Sequence, residues 1–369
     1  MGNLFSYPNV KSVEQTSKIT QTPHRYNYGW IRDKPIYNDC IYEFLKQNKY
    51  AVADLPGRID LREKYQMPAV YDQLKLGSCT ANALAFAYQF DEIKQNTGQE
   101  NVFMPSRLFI YYNERKMEGS VDSDAGAAIG DGVTSINIDG VCDEKMWPYD
   151  IEKFAVAPPS QTYIEGKKCH SIAQKKLVQN LSELKTAINN DFVIIFGFNV
   201  YSSFESDEVA KTGMMLIPAV DEKLLGGHAV AIVGYDDELL IKDKKGAFIV
   251  RNSWSDAWGD KGYFYMPYDF AVDPSMASDF WAINQIVVDL SEYANSDSPS
   301  LQSVSKLDNC CNDMNIVNIF PKPIINEIWP EAIIFHESNE PFILQPNPEP
   351  VIHKNSQNIK RKKRRRYKN

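Results

Sequence analysis

Cys79 stands in an odd place for a structural thiol. In YDQLKLGSCTANALAFAYQF, residues 71–90, it lies between Ser78 and Thr80, where a polar turn gives way to an apolar run. A lone cysteine before a helix is more often structural than catalytic. A buried structural cysteine, though, belongs inside the run. One at the helix start has its sulfur near the positive end of the helix dipole, which favours thiolate over thiol. A thiolate nucleophile then needs an imidazole to carry its proton. The chain has five histidines, His24, His170, His228, His336 and His353. Only His228 opens a clear strand; the other four stand in polar or loop-like contexts. Gly226 and Gly227 precede it, where they let backbone or substrate approach closely, or simply make a tight turn. The next predicted strand ends at Asn252, whose side-chain amide can accept from one ring nitrogen and fix the tautomer. Trp254, two residues on, points to the same side and would shield that hydrogen bond from water.

These residues need elements to hold them. Cys79–Asn96 reads as a helix: Ala83, Leu84, Ala87, Phe90 and Ile93 recur at helical spacing, Ser78 is placed to cap it, and Gly98 lies past its end. Leu181–Asn190 reads as a second helix. Phe192–Val200, His228–Tyr235 and Ala247–Trp254 read as strands. An early helical region followed by a strand-rich one predicts an α+β fold of two lobes.

A chain of 369 residues can bury a full core. No run approaches the ~18 apolar residues of a membrane span, and the N-terminus lacks the apolar stretch of a secretory signal. Six scattered cysteines without a CxxC pair fit an intracellular, reducing compartment better than a disulfide framework or a zinc site. Cys40, Cys142, Cys169, Cys310 and Cys311 read as inert or solvent-facing thiols. Residues 1–50 form a polar N-terminal extension, 51–290 carry the helix and strand signals, and 291–369 form a C-terminal extension. The apolar segment NIFPKPIINEIWPEAIIF within that extension is expected to wrap the main domain. The basic end, residues 360–368, carries eight positive charges, so the rest of the chain holds −16 against the whole chain's −8. Its low hydrophobicity and high charge predict disorder.

The order Cys79, His228, Asn252, with separations of 149 and 24 residues, resembles the papain/cathepsin family of cysteine peptidases. QLKLGSC adds the family's glutamine, Gln73, six residues before the nucleophile. LPGRIDLREKYQMPAVYDQ looks like the mature start of such enzymes, and MPSRLFIYYNE and DGVCDEKMWPYD look like segments of their helical lobe. GGHAVAIVGYDD and FIVRNSWSDAWGDKGYFYM match the histidine and asparagine strands. The resemblance covers roughly residues 50–290. GGHA is nearest to cathepsin B, whereas the unbridged LGSCTANA is closer to cathepsin-like peptidases of bacteria and giant DNA viruses.

The resemblance implies a papain-like fold with the active site in the cleft between a helical lobe and a barrel-like strand-rich lobe. It implies peptide hydrolysis through a thioester, with Cys79 as nucleophile, His228 as acid and base, and Asn252 holding His228. Gln73 and the Cys79 N–H would form the oxyanion hole. The mechanism calls for no metal and no cofactor. SDAGAAIGDG is the nearest match to the family's substrate-pairing glycines, which makes Gly126 a substrate-binding candidate beside Gly227 and Trp254. Asp279 is a candidate for the specificity pocket, although a structural role fits it better. The family's disulfide cysteine is Leu76 here, and its tryptophan after the nucleophile is Thr80. The two adjacent histidines with which cathepsin B blocks its groove have no counterpart, which favours endopeptidase action. Residues 1–50 are shorter than most family propeptides, yet long enough to cover the groove and make the protein a zymogen.

Two features lie outside the resemblance. Met1–Ser6 fits the acceptor pattern for myristate on Gly2. The 360–368 tail suits contact with membrane or nucleic acid, or a nuclear address, which with Gly2 suggests membrane association or packaging in a virion. Two alternatives to peptidase stand: an inactive papain-like binding protein attached through that tail, and acyl transfer to an amine.

Overall fold

The run that follows Cys79 is alanine-rich, with Ala81, Ala83, Ala85 and Ala87 placed so that neighbouring elements can approach its backbone closely. In the computed structural model, which describes residues 27–35, 41–42, 55–95 and 102–288, this run is buried almost all round. The α-helices and strands follow in the order β1 (Trp30–Ile31), β2 (Ile41–Tyr42), β3 (Arg58–Asp60), α1 (Leu61–Lys64), α2 (Cys79–Gln95), α3 (Arg107–Glu118), β4 (Ala127–Ala128), α4 (Ile129–Asp139) and α5 (Ser160–Gly166). They continue through β5 (Cys169–Leu177), α6 (Leu181–Asn189), β6 (Ile194–Tyr201), α7 (Asp207–Thr212), β7 (Leu224–Ile241), β8 (Lys244–Arg251), β9 (Tyr263–Pro267), α8 (Tyr268–Ala271) and β10 (Ala277–Val288). The chain divides into two units, residues 1–302 and 303–369. The second lies outside the described residues, as do Gly2, Cys40, Cys310, Cys311, His24, His336, His353, Gly98 and the basic tail. No helix among the described residues is long and apolar enough to cross a membrane.

Helix α2 packs against β7 and β10 as well as α3 and α4. That explains why its buried set extends past the expected stripe to Thr80, Asn82, Phe86 and Tyr88. A helix covered on all sides is apolar all round, and burying a side chain such as Phe86 contributes about 2–3 kcal/mol. Helix α3 begins at Ser106, whose hydroxyl accepts from the Phe109 N–H (3.1 Å), and ends at Gly119 in the left-handed conformation, φ +73°. Asn180 caps α6 in the same way, accepting from the Glu183 N–H.

The main sheet has eight strands in the order β2-β5-β10-β6-β7-β8-β9, with β3 also pairing with β7. All neighbours are antiparallel except β2 and β5. Strands β1 and β4 form a separate parallel pair. Helices α2 to α4 on one side and the β6–β9 meander on the other make up the expected α+β, two-lobe arrangement.

Strand bounds differ from expectation where backbone pairing outruns the apolar pattern. Strand β7 starts at Leu224, because Gly226 and Gly227 stay in the ladder opposite Val200 and Asn199. They are strand residues, not a turn, and His228 is the fifth residue of the strand. At its other end β7 continues to Ile241 through a bulged hairpin with β8. His170 also lies in a strand, opposite Val287, contrary to its expected loop setting.

Candidate active site

The turn before α2 is fixed by short-range polar bonds. Asp72 Oδ1 accepts from the Leu74 N–H (2.9 Å), and Leu74 takes a positive φ of 56°. The Gly77 N–H donates to both carboxylate oxygens of Asp124 (3.0 and 3.1 Å). Ser78 contributes its carbonyl to the first helical bond, from the Asn82 N–H (3.0 Å). Its hydroxyl, expected as a helix cap, instead bonds the Tyr149 hydroxyl (2.5 Å) and the Asn82 side chain (3.1 Å). Cys79 is thereby held as the first residue of α2, fully buried.

His228 and Asn252 come from neighbouring strands. His228 sits on β7 opposite Phe198 of β6. Asn252 follows the last residue of β8, and its Oδ1 lies 2.8 Å from His228 Nε2. The same oxygen accepts from the Ser253 N–H (2.8 Å). An oxygen with two such partners acts as acceptor, so His228 Nε2 is the donor and carries the proton. The lone pair then belongs to Nδ1, which is buried without a hydrogen-bond partner. Trp254 lies over the imidazole with ring centroids 4.9 Å apart and an interplanar angle of 25°. It is almost fully buried. The Cys79 thiol faces the backbone N–H of Ala229, the residue after His228, which favours its charged form. The structure therefore brings Cys79, His228, Asn252 and Trp254 into one place.

Gln73 is bound to the segment after Asn252 at two points. Its N–H donates to the Ser253 carbonyl (2.9 Å), and its Oε1 accepts from the Ser253 hydroxyl (2.7 Å). That leaves Nε2 as donor toward the cleft, where it meets the carbonyl oxygens of Leu76 and Asn27 (both 3.0 Å). Ser253 was not singled out by sequence reasoning. The signal available was its place beside Asn252 in NSW.

Asn27 belongs to a segment, residues 27–34, that crosses the site like a strap. The Tyr28 ring lies 6.2 Å from His228 and 6.3 Å from Trp254, centroid to centroid, and its hydroxyl bonds Glu205. Gly29 is pressed against Gly77: a Cβ there would fall 1.7 Å from the Gly77 oxygen. The Gly29 carbonyl accepts from the Ala127 N–H (2.7 Å). Gly126, at φ +77°, has no room for a side chain either, since its Cβ would come within 2.1 Å of the Gly29 oxygen. Trp30 is buried, its indole against Gly197 and its carbonyl and ring against Gly227. Gly126, Gly227 and Trp254, the substrate-binding candidates, thus all line the channel that the strap fills.

Burial beneath the strap decides the ionisation. The Cys79 thiol is pushed up to about 12, although the N–H groups of Ala229 and Gly29 oppose the shift. His228 is held down to about 4 by the same burial, against the opposing bond to Asn252. The expected thiolate at the helix start is therefore corrected. With water excluded, removing two charges from solvent outweighs the helix dipole, and thiol and imidazole stay neutral. Cys142 and Cys169 take part in no disulfide, and burial holds the Cys142 thiol up at about 12. Asp279 takes part in a buried ion cluster described below, which agrees with the structural role preferred for it.

A family described as papain family cysteine protease matches residues 55–280. The chain is similar to an uncharacterized peptidase C1-like protein of Acanthamoeba polyphaga mimivirus, 43% identical over 281 residues that span 70% of this chain and 87% of the other. It is also similar to the solved structure of xylellain, a cysteine protease from Xylella fastidiosa. That likeness has a TM-score of 0.62 and 37% identity, and covers 72% of this chain and 99% of xylellain. Digestive procathepsin L 3 of Tenebrio molitor shares the fold at 15% identity and a TM-score of 0.51, over 67% of this chain and 74% of its own.

Proposed function

This chain belongs to the papain family of cysteine proteases, and from that premise we propose that it cleaves polypeptides through Cys79, His228 and Asn252, in a cleft held closed by residues 27–34. The observation that carries the reading is the His228 Nε2–Asn252 Oδ1 bond of 2.8 Å, with Nδ1 left unpartnered beside the helix start that bears Cys79. In the open cleft the thiol proton passes to His228 Nδ1 as sulfur attacks the peptide carbonyl. The oxyanion is received by Gln73 Nε2 and by the Cys79 N–H, one of the helix-terminal donors with no partner inside the helix. The Asn27 carbonyl oxygen, which Gln73 Nε2 now holds, marks where such an oxygen can sit. His228 gives its proton to the leaving amine, a thioester remains, and water activated by His228 releases the acid. Asn252 fixes the tautomer throughout, and Trp254 keeps water from that bond.

Latency follows from the strap. A substrate carbonyl cannot reach a sulfur that is fully buried, with Gly29 packed against it and Tyr28 beside the imidazole. The resting protein is thus a zymogen or a reversibly closed enzyme.

The test is Cys79→Ala in the full chain. Peptide hydrolysis under reducing conditions should fall to background, as should labelling by an epoxide that alkylates catalytic thiols. An alanine variant cleaving as fast as the parent would exclude this chemistry.

A further inference from the structure

The strap does not end at the groove. Three residues beyond Trp30 it sends Asp33 into the body of the protein, where the carboxylate is almost fully buried, its side chain 1% exposed. Asp33 Oδ2 accepts from Lys176 Nζ (3.0 Å) and from the indole N–H of Trp281 (2.8 Å). Oδ1 accepts from the Gly130 N–H at the start of α4 (2.8 Å). Lys176 and Trp281 are direct cross-strand partners on β5 and β10, so the sheet itself sets the spacing of these two donors. The backbone N–H of Asp33 donates to Asp279 Oδ2 (2.8 Å). Asp279 is turned to receive it by an irregularity in β10 between Ser278 and Trp281, and has a φ of +59°.

Resting on the reading that residues 27–34 close a peptidase cleft, we propose that Asp33 is the latch of the strap and that Lys176, Trp281 and Gly130 form its receptor, outside the catalytic groove. The groove contacts of the strap are single hydrogen bonds, from the Tyr28 hydroxyl to Glu205 and from Gln73 Nε2 and the Ala127 N–H to the carbonyls of Asn27 and Gly29, together with the packing of the Tyr28 and Trp30 rings. The Asp33 site is directional: three donors meet one carboxylate out of water. The neighbouring charge on the strap, Lys34, pairs with Asp131 at 2.9 Å; the lysine side chain is 52% exposed, whereas that of Asp131 is 2% exposed.

The receptor is also suited to opening. Lys176 lies 3.6 Å from Asp279 Oδ1, so when Asp33 withdraws the ammonium keeps a counter-charge and the body is not left with a lone buried ion. With the strap docked, two carboxylates share one ammonium. Burial and the Asp33 charge accordingly raise Asp279 above the usual carboxylate range. Glu118, Asp131 and Lys34 form the adjoining charged group on the α3–α4 side.

The experiment measures the rate of Cys79 alkylation by iodoacetamide in the full-length protein, alongside peptide hydrolysis. Asp33→Asn keeps the size of the side chain but loses the charge and turns an amide toward Lys176. It should accelerate alkylation by a factor on the order of a hundred, in line with breaking a buried ion pair. Lys176→Met should act in the same direction, while Lys34→Met should accelerate alkylation less than Asp33→Asn, because the ammonium it removes is already half in solvent. Gly29→Ala opens the strap independently, because its methyl group has no space against Gly77. In that background Asp33→Asn should add nothing. Parent-like alkylation of Asp33→Asn would overturn the latch, and so would equal acceleration in both backgrounds, which would signal general loosening. Faster alkylation with no peptide cleaved would uphold the latch and overturn the peptidase reading.

Discussion

Ser253 holds the amide of Gln73 by its oxygen, and so decides which end of that amide faces the cleft. A glutamine free to rotate would present Oε1 half the time and repel the oxyanion it is meant to receive. Ser253→Ala, measured in the strap-opened Gly29→Ala protein, should lower kcat roughly tenfold and leave KM nearly unchanged; losing the donor altogether in Gln73→Ala should cost about 10²–10³ in kcat. Ser253→Thr keeps the hydroxyl and should recover most of the rate. A change confined to KM would assign Ser253 to substrate binding instead. At this scale most of the site was legible in the sequence. Cys79, His228, Asn252 and Gln73 are residue types whose chemistry is specific and whose order along the chain is informative. Ser253 was not legible, because serine is common and only its contact with Gln73 gives it a role. The ionisation was not legible either, since it follows from what covers the thiol, not from what flanks it in sequence.

The elements that carry these groups depend on conventional end signals. Helix α3 packs against α2, and its start rests on Ser106, whose hydroxyl accepts from Phe109 N–H and donates to the Trp147 carbonyl (2.6 Å). Ser106→Ala removes both bonds from a buried site and should lower stability by about 1–2 kcal/mol in a denaturant titration. A midpoint equal to the parent's would show that the cap contributes nothing. Helix α2 and strands β6, β7 and β8 were readable from apolar periodicity, with bounds off by a few residues. The errors have a common cause. Gly226 and Gly227 look like a turn in sequence because glycine usually marks one, but in β7 they remain paired and leave space for Trp30 and Tyr28. His170 looked like a loop residue because CHSIAQKKL is polar, yet β5 gains its order from pairing with β10.

On the proposed reading, closure sets reactivity across the whole molecule. While the strap is docked, burial holds the thiol up at about 12 and the imidazole down at about 4, which favours the neutral pair near neutral pH. Opening the strap readmits water, moves the two values toward each other, and lets the imidazole stabilise a thiolate at neutral pH. Alkylation of the parent should therefore rise only at strongly alkaline pH, whereas Gly29→Ala should already react near neutrality. Superimposable pH profiles for the two proteins would contradict this account. By itself, the sequence determined the family and the α+β class and named the candidate reacting groups, because these follow from residue chemistry, motif order and local periodicity. Only the tertiary structure decided that residues 27–34 lie in the cleft and that Asp33 enters a buried charge cluster. Such contacts join residues up to 248 positions apart, as in the Asp33–Trp281 bond. They depend on shape and burial, and no local pattern in a polar N-terminal stretch encodes where it will dock.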